Sequence, residues 1–506
     1  MDTPSRKSVA IVGAGVFGLS LALALRKRKY KVDVFDQHKY DLTRYEPGKG
    51  NEYQVASVDH NKIACSSPLS HEVQKLQANI SREKFRASYG KKIHYQRLAL
   101  ESRQAWENIN ISLNEQYQSG VAGSEFNLFQ SCGMLRVQPT DQLDTLERET
   151  LESLKSEGHR DAQFVKGDSQ DRERAMESGW DKKLLDFTIP ETSPPRTFEA
   201  VLDSLAGFTQ CSQACAYVHG RAVEEGVTFH LGPEQGKFDG LVVEDTGSSK
   251  RAVGLKTKDG SIHKADTVVS AAGSFSTQLL PDLAYHLESS AGSVVTYKID
   301  KSNTELWDKY SPQRFPVITW KSAPRSGNGK DTGSIYVFPR TPEGLIKIGY
   351  RGIKWTNFQT APANAVFSQD GQWSIPLSPT DPAPIPDAAK EAIKKFVSIF
   401  LPDFMDCDFY STKLCWYTDS LDNSFVVDYV PTYADKSVFV CTGGSGHGAK
   451  FLPVLGDHAA DILEHGEEST SYMRKHWQWR ESAPRSNGLE DGPNGPRNLA
   501  KHGNAS

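Results

Sequence analysis

Apolar positions crowd the start of the chain. Val9-Ala10-Ile11-Val12 is a continuous apolar run, the pattern of a strand buried on both faces of a parallel sheet. Gly13-Ala14-Gly15-Val16-Phe17-Gly18 follows it, and residues 19–28 then carry Leu and Ala at helical spacing. Lys31-Val32-Asp33-Val34-Phe35-Asp36 reads as a second strand, so the chain opens as a βαβ unit. Residues 98–106 read as an amphipathic helix, and residues 140–180 as charge-rich helix and loop. Turn chemistry makes residues 189–195 a linker. A helix is expected over 198–225 and strands over 227–230 and 267–270. Residues 334–338 and 345–350 form a predicted hairpin around Pro342-Glu343-Gly344. A late strand at 437–441 precedes a glycine-rich turn and a helix over 450–463. Residues 481–506 are rich in Gly, Asn, Pro and Arg and read as a disordered tail.

Gly13, Gly15 and Gly18 form G-x-G-x-x-G with a strand before it and a helix after it. The first glycine permits the tight turn, the second lets a pyrophosphate approach the backbone, and the third lets the helix pack on the strand. Val16 and Phe17 open the helix, whose free N–H groups face that pyrophosphate. Asp36 ends the second strand, where a carboxylate accepts the ribose hydroxyls of an adenosine. Asp33, three residues earlier, points to the other face. The motif leaves FAD and NAD(H) open, as well as a simple packing turn.

Composition narrows the class. The 506 residues suggest two or three domains. With 38% apolar and 24% charged residues, the chain reads as soluble and globular, and a net charge of −4 argues against a nucleic-acid partner. No apolar run has the length of a membrane span. A signal peptide is the competing reading of residues 9–25, but no small-residue cleavage site follows. Seven scattered cysteines fit a reducing compartment better than a disulfide scaffold, and a cytoplasmic location is expected. Cys211 and Cys215 have no second pair to complete a zinc site, so no metal is expected.

Three later segments resemble the FAD-dependent amine oxidases of the monomeric sarcosine oxidase group. They are Lys413-Leu414-Cys415-Trp416-Tyr417-Thr418-Asp419, residues 442–451 (Thr-Gly-Gly-Ser-Gly-His-Gly-Ala-Lys-Phe) and Leu345-Ile346-Lys347-Ile348-Gly349-Tyr350. Asn61-Lys62-Ile63 and the ending His476-Trp477-Gln478-Trp479-Arg480 are similar to the fungal fructosyl amino acid oxidase (amadoriase) branch. The resemblance implies covalent FAD, joined through its 8α-methyl carbon to Cys415. It places Gly444, Gly446, His447 and Gly448 beside the flavin ring, with Asn61 and Lys62 nearby. Lys347 is implied as the ammonium that activates dioxygen, and Tyr336 and Tyr417 as walls of the substrate pocket. A lysine aimed inward among apolar neighbours is costly unless it has such a task.

The sequence departs from that family at the substrate carboxylate. Lys450 matches a clamping lysine, but the partner arginine position is Cys65, and a neutral thiol cannot pair with a carboxylate. Arg351 stands where the family has a histidine, and is expected either to replace the clamp from a different direction or to read another acidic or phenolic group. The implied substrate is therefore a secondary amine of the N-methyl or N-alkyl amino acid type rather than sarcosine, oxidised to an iminium as dioxygen becomes hydrogen peroxide. Fungal secondary metabolism, with iminium cyclisation, is one setting. Fructosyl amino acids and saccharopine- or pipecolate-type amino acids are the alternatives. From other classes, an NAD-dependent dehydrogenase and a catalytically silent flavin protein stay open.

The fold class implied is α/β, with a Rossmann-type FAD-binding domain interleaved with an α+β substrate domain built on a mixed β-sheet. The FAD domain is expected to gather residues 1–110, 187–285 and 420–475, and the substrate domain 111–186 and 286–419. A monomer is expected.

Overall fold

The computed structural model describes residues 7–38, 82–117, 127–187, 197–247, 249–321, 334–363, 371–378, 383–481, 483 and 491–502. Asn61, Lys62 and Cys65 lie outside the described residues, as does the linker expected at 189–195.

The opening strand Ser8–Val12 is the fourth of six in one sheet. It pairs in parallel with Lys31–Asp36 on one side and Thr267–Ser270 on the other. Val9 and Ile11 are buried, as their uninterrupted apolar run requires, and so are Val32 and Val34 of the neighbouring strand. The crossover helix Val16–Lys27 packs on this sheet beside the helices Cys211–Glu224 and Leu455–His465.

An eight-stranded mixed sheet forms the second layer, and its longest strands, Leu287–Lys298 and Leu345–Trp355, are second and third from the edge strand Ser411–Ser420. Alternation sorts its residues. Ile346, Ile348, Tyr350, Leu414 and Trp416 face a core shared with the helix Asp387–Phe400. Ile393, Phe396, Val397 and Phe400 of that helix recur at helical spacing and are buried. The opposite face carries Lys347, Gly349, Tyr336, Cys415, Tyr417 and Asp419, as the register of the paired strands dictates.

The predicted hairpin is present: Ile335–Val337 pairs antiparallel with Leu345–Trp355. Other expectations change. The helix expected over 198–225 is instead two strands, Ala200–Asp203 and Gly207–Gln210, followed by Cys211–Glu224. Tertiary pairing overrides local propensity there. Ala200–Asp203 is sandwiched in the eight-stranded sheet, and Gly207 sits where a Cβ would overlap the Gln130 carbonyl. Ala200–Asp203 thus joins the eight-stranded sheet although it lies in a segment expected for the FAD domain. The helix expected over 450–463 is a short 3₁₀ turn, Ala449–Phe451, and then Leu455–His465. Pro453 has no backbone N–H to donate, so the hydrogen-bond ladder of a continuous helix is broken there. The helix at 98–106 is the middle of the longer Ile93–Tyr117.

The expected disordered tail is also corrected. Residues 491–502 are docked on the eight-stranded sheet, where Thr356 N donates to Arg497 O and Leu499 N donates to Thr356 O. Buried ion pairs from Arg497 to Glu288 (2.9 Å) and Asp491 (3.1 Å) fix it. Polar composition alone misses such a segment because its partners are charged residues rather than apolar ones.

Candidate active site

A cleft of about 1240 Å³ runs along the carboxyl ends of the six-stranded sheet and reaches the eight-stranded one. Strand ends at such a place are the usual ligand position in an α/β sheet. Its lining includes Gly13, Gly15, Val16, Phe17 and Asp36 from the βαβ opening. Gly13 has φ +107, and a Cβ there would stand 2.5 Å from Ala271 O. A Cβ on Gly18 would overlap the Gly13 carbonyl, so Gly18 serves the packing of helix on strand and does not line the cleft. Asp36 is fixed by two backbone donors, Ala14 N and His38 N, each at 2.9 Å from one carboxylate oxygen. Asp33 instead faces His230 Nε2 at 3.0 Å.

The far end of the cleft is built from Trp416, Tyr417 and Thr418 on one side and Gly444, Ser445, Gly446 and Gly448 on the other. Gly443 and Gly446 have φ +80 and +70, which L side chains rarely adopt. A Cβ on Gly444 or Gly448 would press on the Phe17 ring at 3.1 Å or 2.6 Å. His447 turns away from the cleft. Its Nδ1 lies 3.0 Å from Tyr89 Oη and its Nε2 lies 3.1 Å from Asn423 O. Since a carbonyl only accepts, Nε2 carries the proton and Nδ1 accepts from the tyrosine. Burial, then Lys450, hold the imidazole pKa well below its ordinary value, so His447 is neutral and anchors the glycine loop.

Lys450 is buried and its Nζ donates to Arg86 O at 3.1 Å, over the Tyr89 ring at 4.7 Å. The structure therefore places it behind the loop, against the segment 86–89. Cys415 is fully buried beside Val294 and Tyr417 and does not itself line the cleft, whose residues from that strand are Trp416, Tyr417 and Thr418. Lys347 is buried with its Nζ 5.6 Å from the Phe338 ring. Tyr336 lies over Gly349, where a Cβ would overlap its ring, and Lys84 Nζ sits 3.8 Å from that ring's centre.

Arg351 occupies a position the sequence does not reveal. Its guanidinium stacks over Tyr417 at 4.2 Å, and Nη2 meets both oxygens of Asp419 at 3.2 Å. Nη1 donates to Ser445 O at 3.3 Å. Lys354 Nζ reaches the same carboxylate at 3.0 Å, and Ser290 Oγ donates to it. Both cations reach one face because the strand bulges. Ser293 pairs with Tyr350 but Ala291 pairs with Trp355, so extra residues are looped out between them. Burial alone would raise the Asp419 pKa, but Lys354 and Arg351 outweigh it and hold the carboxyl below the ordinary range.

These features decide the cofactor class. The positive-φ Gly13, the phosphate-facing helix start, the held Asp36 and the second glycine loop fit a dinucleotide with a flat ring at its far end. The FAD dependent oxidoreductase family matches residues 8–462. The chain belongs to the FAD dependent oxidoreductase family. L-saccharopine oxidase of Schizosaccharomyces pombe is 26% identical to it over 486 residues, spanning 94% of this chain and 93% of that one. Amino acid oxidase fsqB of Aspergillus fumigatus is 24% identical over 90% of this chain and 92% of its own. A modified fructosyl peptide oxidase from Aspergillus nidulans shares the fold of this FAD-dependent oxidoreductase. Its TM-score is 0.72 at 22% identity, with 99% of each chain covered.

Among the described residues of this FAD-dependent oxidoreductase, no helix is long and apolar enough to cross a membrane. The sequence reading missed Phe238, Ser274 and Thr442, which also line the cleft. It also missed the role of Asp419, although counting alternate positions from Cys415 through Tyr417 puts Asp419 on the same face. Made in a Cys415→Ser background, where no thioether can hold the flavin, Gly13→Ala is expected to weaken FAD retention about tenfold, since positive φ alone costs an L-residue ~1–2 kcal/mol. Equilibrium dialysis followed by visible absorbance measures it, and unchanged retention removes the backbone argument.

Proposed function

We propose that this FAD-dependent amine oxidase acts on a secondary amine of the N-alkyl amino acid type and holds its flavin covalently through Cys415. The observation that carries the reading is the shared face of the eight-stranded sheet. There Tyr417 lines the cofactor cleft and Cys415 stands two residues before it on the same face, while Lys347 lies two strands away and Tyr336 three strands away on that surface.

Gly13, Gly15, Val16, Phe17 and Asp36 would hold the nucleotide end, and Gly444, Gly446 and Gly448 the ring end. Bound FAD supplies the two-electron acceptor for the substrate C–H bond and returns the electrons to dioxygen. The chain's own residues set the conditions. Tyr336, Tyr417 and Phe338 give the amine apolar walls that exclude water and tolerate a transient cation. The Lys347 ammonium is fixed in advance where charge develops on reducing dioxygen, so it costs no reorganisation. The imidazole of His447 is committed to Tyr89 and Asn423, so it is not the group that takes the amine's proton.

The substrate assignment follows the charges. Arg351 gives two of its nitrogens to Asp419 and Ser445, and only Nε has no hydrogen-bond partner among the described residues. A fork already occupied is a poor bidentate clamp for a small amino acid's carboxylate. The relative named for L-saccharopine, itself a secondary amine built on lysine, supports an N-alkyl amino acid with a longer arm. An anaerobic panel of N-methyl, fructosyl and saccharopine-type amino acids is the test. Bleaching of the yellow colour by the fructosyl member alone contradicts the assignment.

For the covalent link, Cys415→Ser is expected to yield protein whose colour stays in solution on acid precipitation, while the wild-type pellet is yellow. A colourless wild-type pellet from yellow protein removes the thioether from the reading.

A further inference from the structure

We propose that residues 491–502 are a strap whose Arg497 sets the position of Arg351, and with it the glycine loop 443–448, through Lys354 and Asp419. Arg497 thus acts as a positioning residue. This inference stands on the ion network and does not depend on which amine is oxidised.

The network is continuous and buried. Glu288 and Asp419 lie directly opposite each other on neighbouring antiparallel strands. Both are almost fully buried, and two like charges so placed repel unless each has its own cation. Arg497 Nη2 serves Glu288 at 2.9 Å and Lys354 Nζ serves Asp419 at 3.0 Å. Arg497 Nη1 also donates to Lys354 O at 2.8 Å, so the strap grips the bulge that carries Lys354. Asp419 in turn holds Arg351, which donates to Ser445 O. The guanidinium packs so closely on the loop that a Cβ at Gly446 would overlap Nη1.

The consequence of losing Arg497 follows from charge balance. Three cations (Arg351, Lys354, Arg497) face three carboxylates (Glu288, Asp419, Asp491). Without Arg497, Glu288 loses the cation supplied by Nη2, and its charge repels Asp419 more strongly across the strand pair. Asp419 then holds Arg351 less firmly, and the loop loses its outer support. A role confined to the strap would leave the loop untouched, because Arg497 itself touches no residue of 443–448 in the network described.

Backbone hydrogen exchange on the flavin-loaded full chain tests this without any substrate. Arg497→Met is expected to speed exchange of amides 443–448 about tenfold. Arg497→Lys should restore part of the protection, since it keeps a cation opposite Glu288. In an Arg351→Met background, adding Arg497→Met should change that exchange less than about twofold, because the path is already cut. Wild-type exchange in folded Arg497→Met, or effects that multiply fully in the double variant, overturns the proposal. If Arg497→Met does not fold, Asp491→Asn removes only the outer carboxylate. It should speed loop exchange by about threefold, and a loop at the wild-type rate in that variant counts equally against the strap.

Discussion

Asp419→Ala is expected to lower the free energy of unfolding by about 3–5 kcal/mol, the cost of leaving buried cations without their carboxylate. Arg351 and Lys354 both converge on this one group, and its side chain has no exposed surface. Urea unfolding of the flavin-loaded protein measures the loss, and a change within 1 kcal/mol or so, the scale of an exposed pair, would mean the network contributes little. The same carboxyl predicts a pH dependence. Its folded-state pKa lies below the ordinary 3.8, so its contribution is present in full above that value. The contribution is lost as pH falls from there toward the depressed folded value. Asp419→Asn should therefore flatten the acid limb of the stability profile while leaving its shape near neutrality unchanged.

Lys347→Met is expected to slow reoxidation of the reduced enzyme by dioxygen about 10²–10³-fold, the range for removing one preorganised charge stabiliser. Anaerobic bleaching by substrate should change only a few-fold, since the lysine is assigned to the oxygen step. Rapid mixing of pre-reduced enzyme with oxygenated buffer reads the first rate, and mixing with substrate under nitrogen reads the second. If both halves slow equally, Lys347 supports the site as a whole and its assignment to dioxygen fails. Met keeps the length and apolar stem, so packing against Phe338 is conserved and a folding defect is a small concern.

The parts of this fold that are legible in the sequence are those whose partners are close along the chain. The βαβ opening has its strand, glycines, helix and second strand within residues 8–36, and each signal agrees with the next. The hairpin at Ile335–Val337 and Leu345–Trp355 is legible for the same reason. Ala200–Asp203 is not, because it becomes a strand only between Met134–Val137 and Gln163–Val165. The bulge that brings Lys354 onto Asp419 breaks the two-residue period, so alternation counted from Lys347 assigns Lys354 to the wrong face. The site residues divide likewise. Asp36, Gly13 and Gly446 are readable from local motifs, and the cleft takes them in. Arg351 looks in sequence like a free clamp, and only the fold reveals the carboxylate and carbonyl that occupy it.

The order of the six-stranded sheet also dictates when the enzyme can come alive. Ser8–Val12 is made first, yet one flank waits for Thr267–Ser270, which in turn waits for Val438–Thr442. During synthesis the nucleotide-binding turn therefore emerges hundreds of residues before its walls exist, and such long-range closure is slow. Flavin loading becomes a late event in the life of each molecule. A ribosome that stalls before the final strand releases a chain that carries the Gly13–Gly18 turn and Asp36 but lacks the glycine loop at the ring end of the coenzyme site.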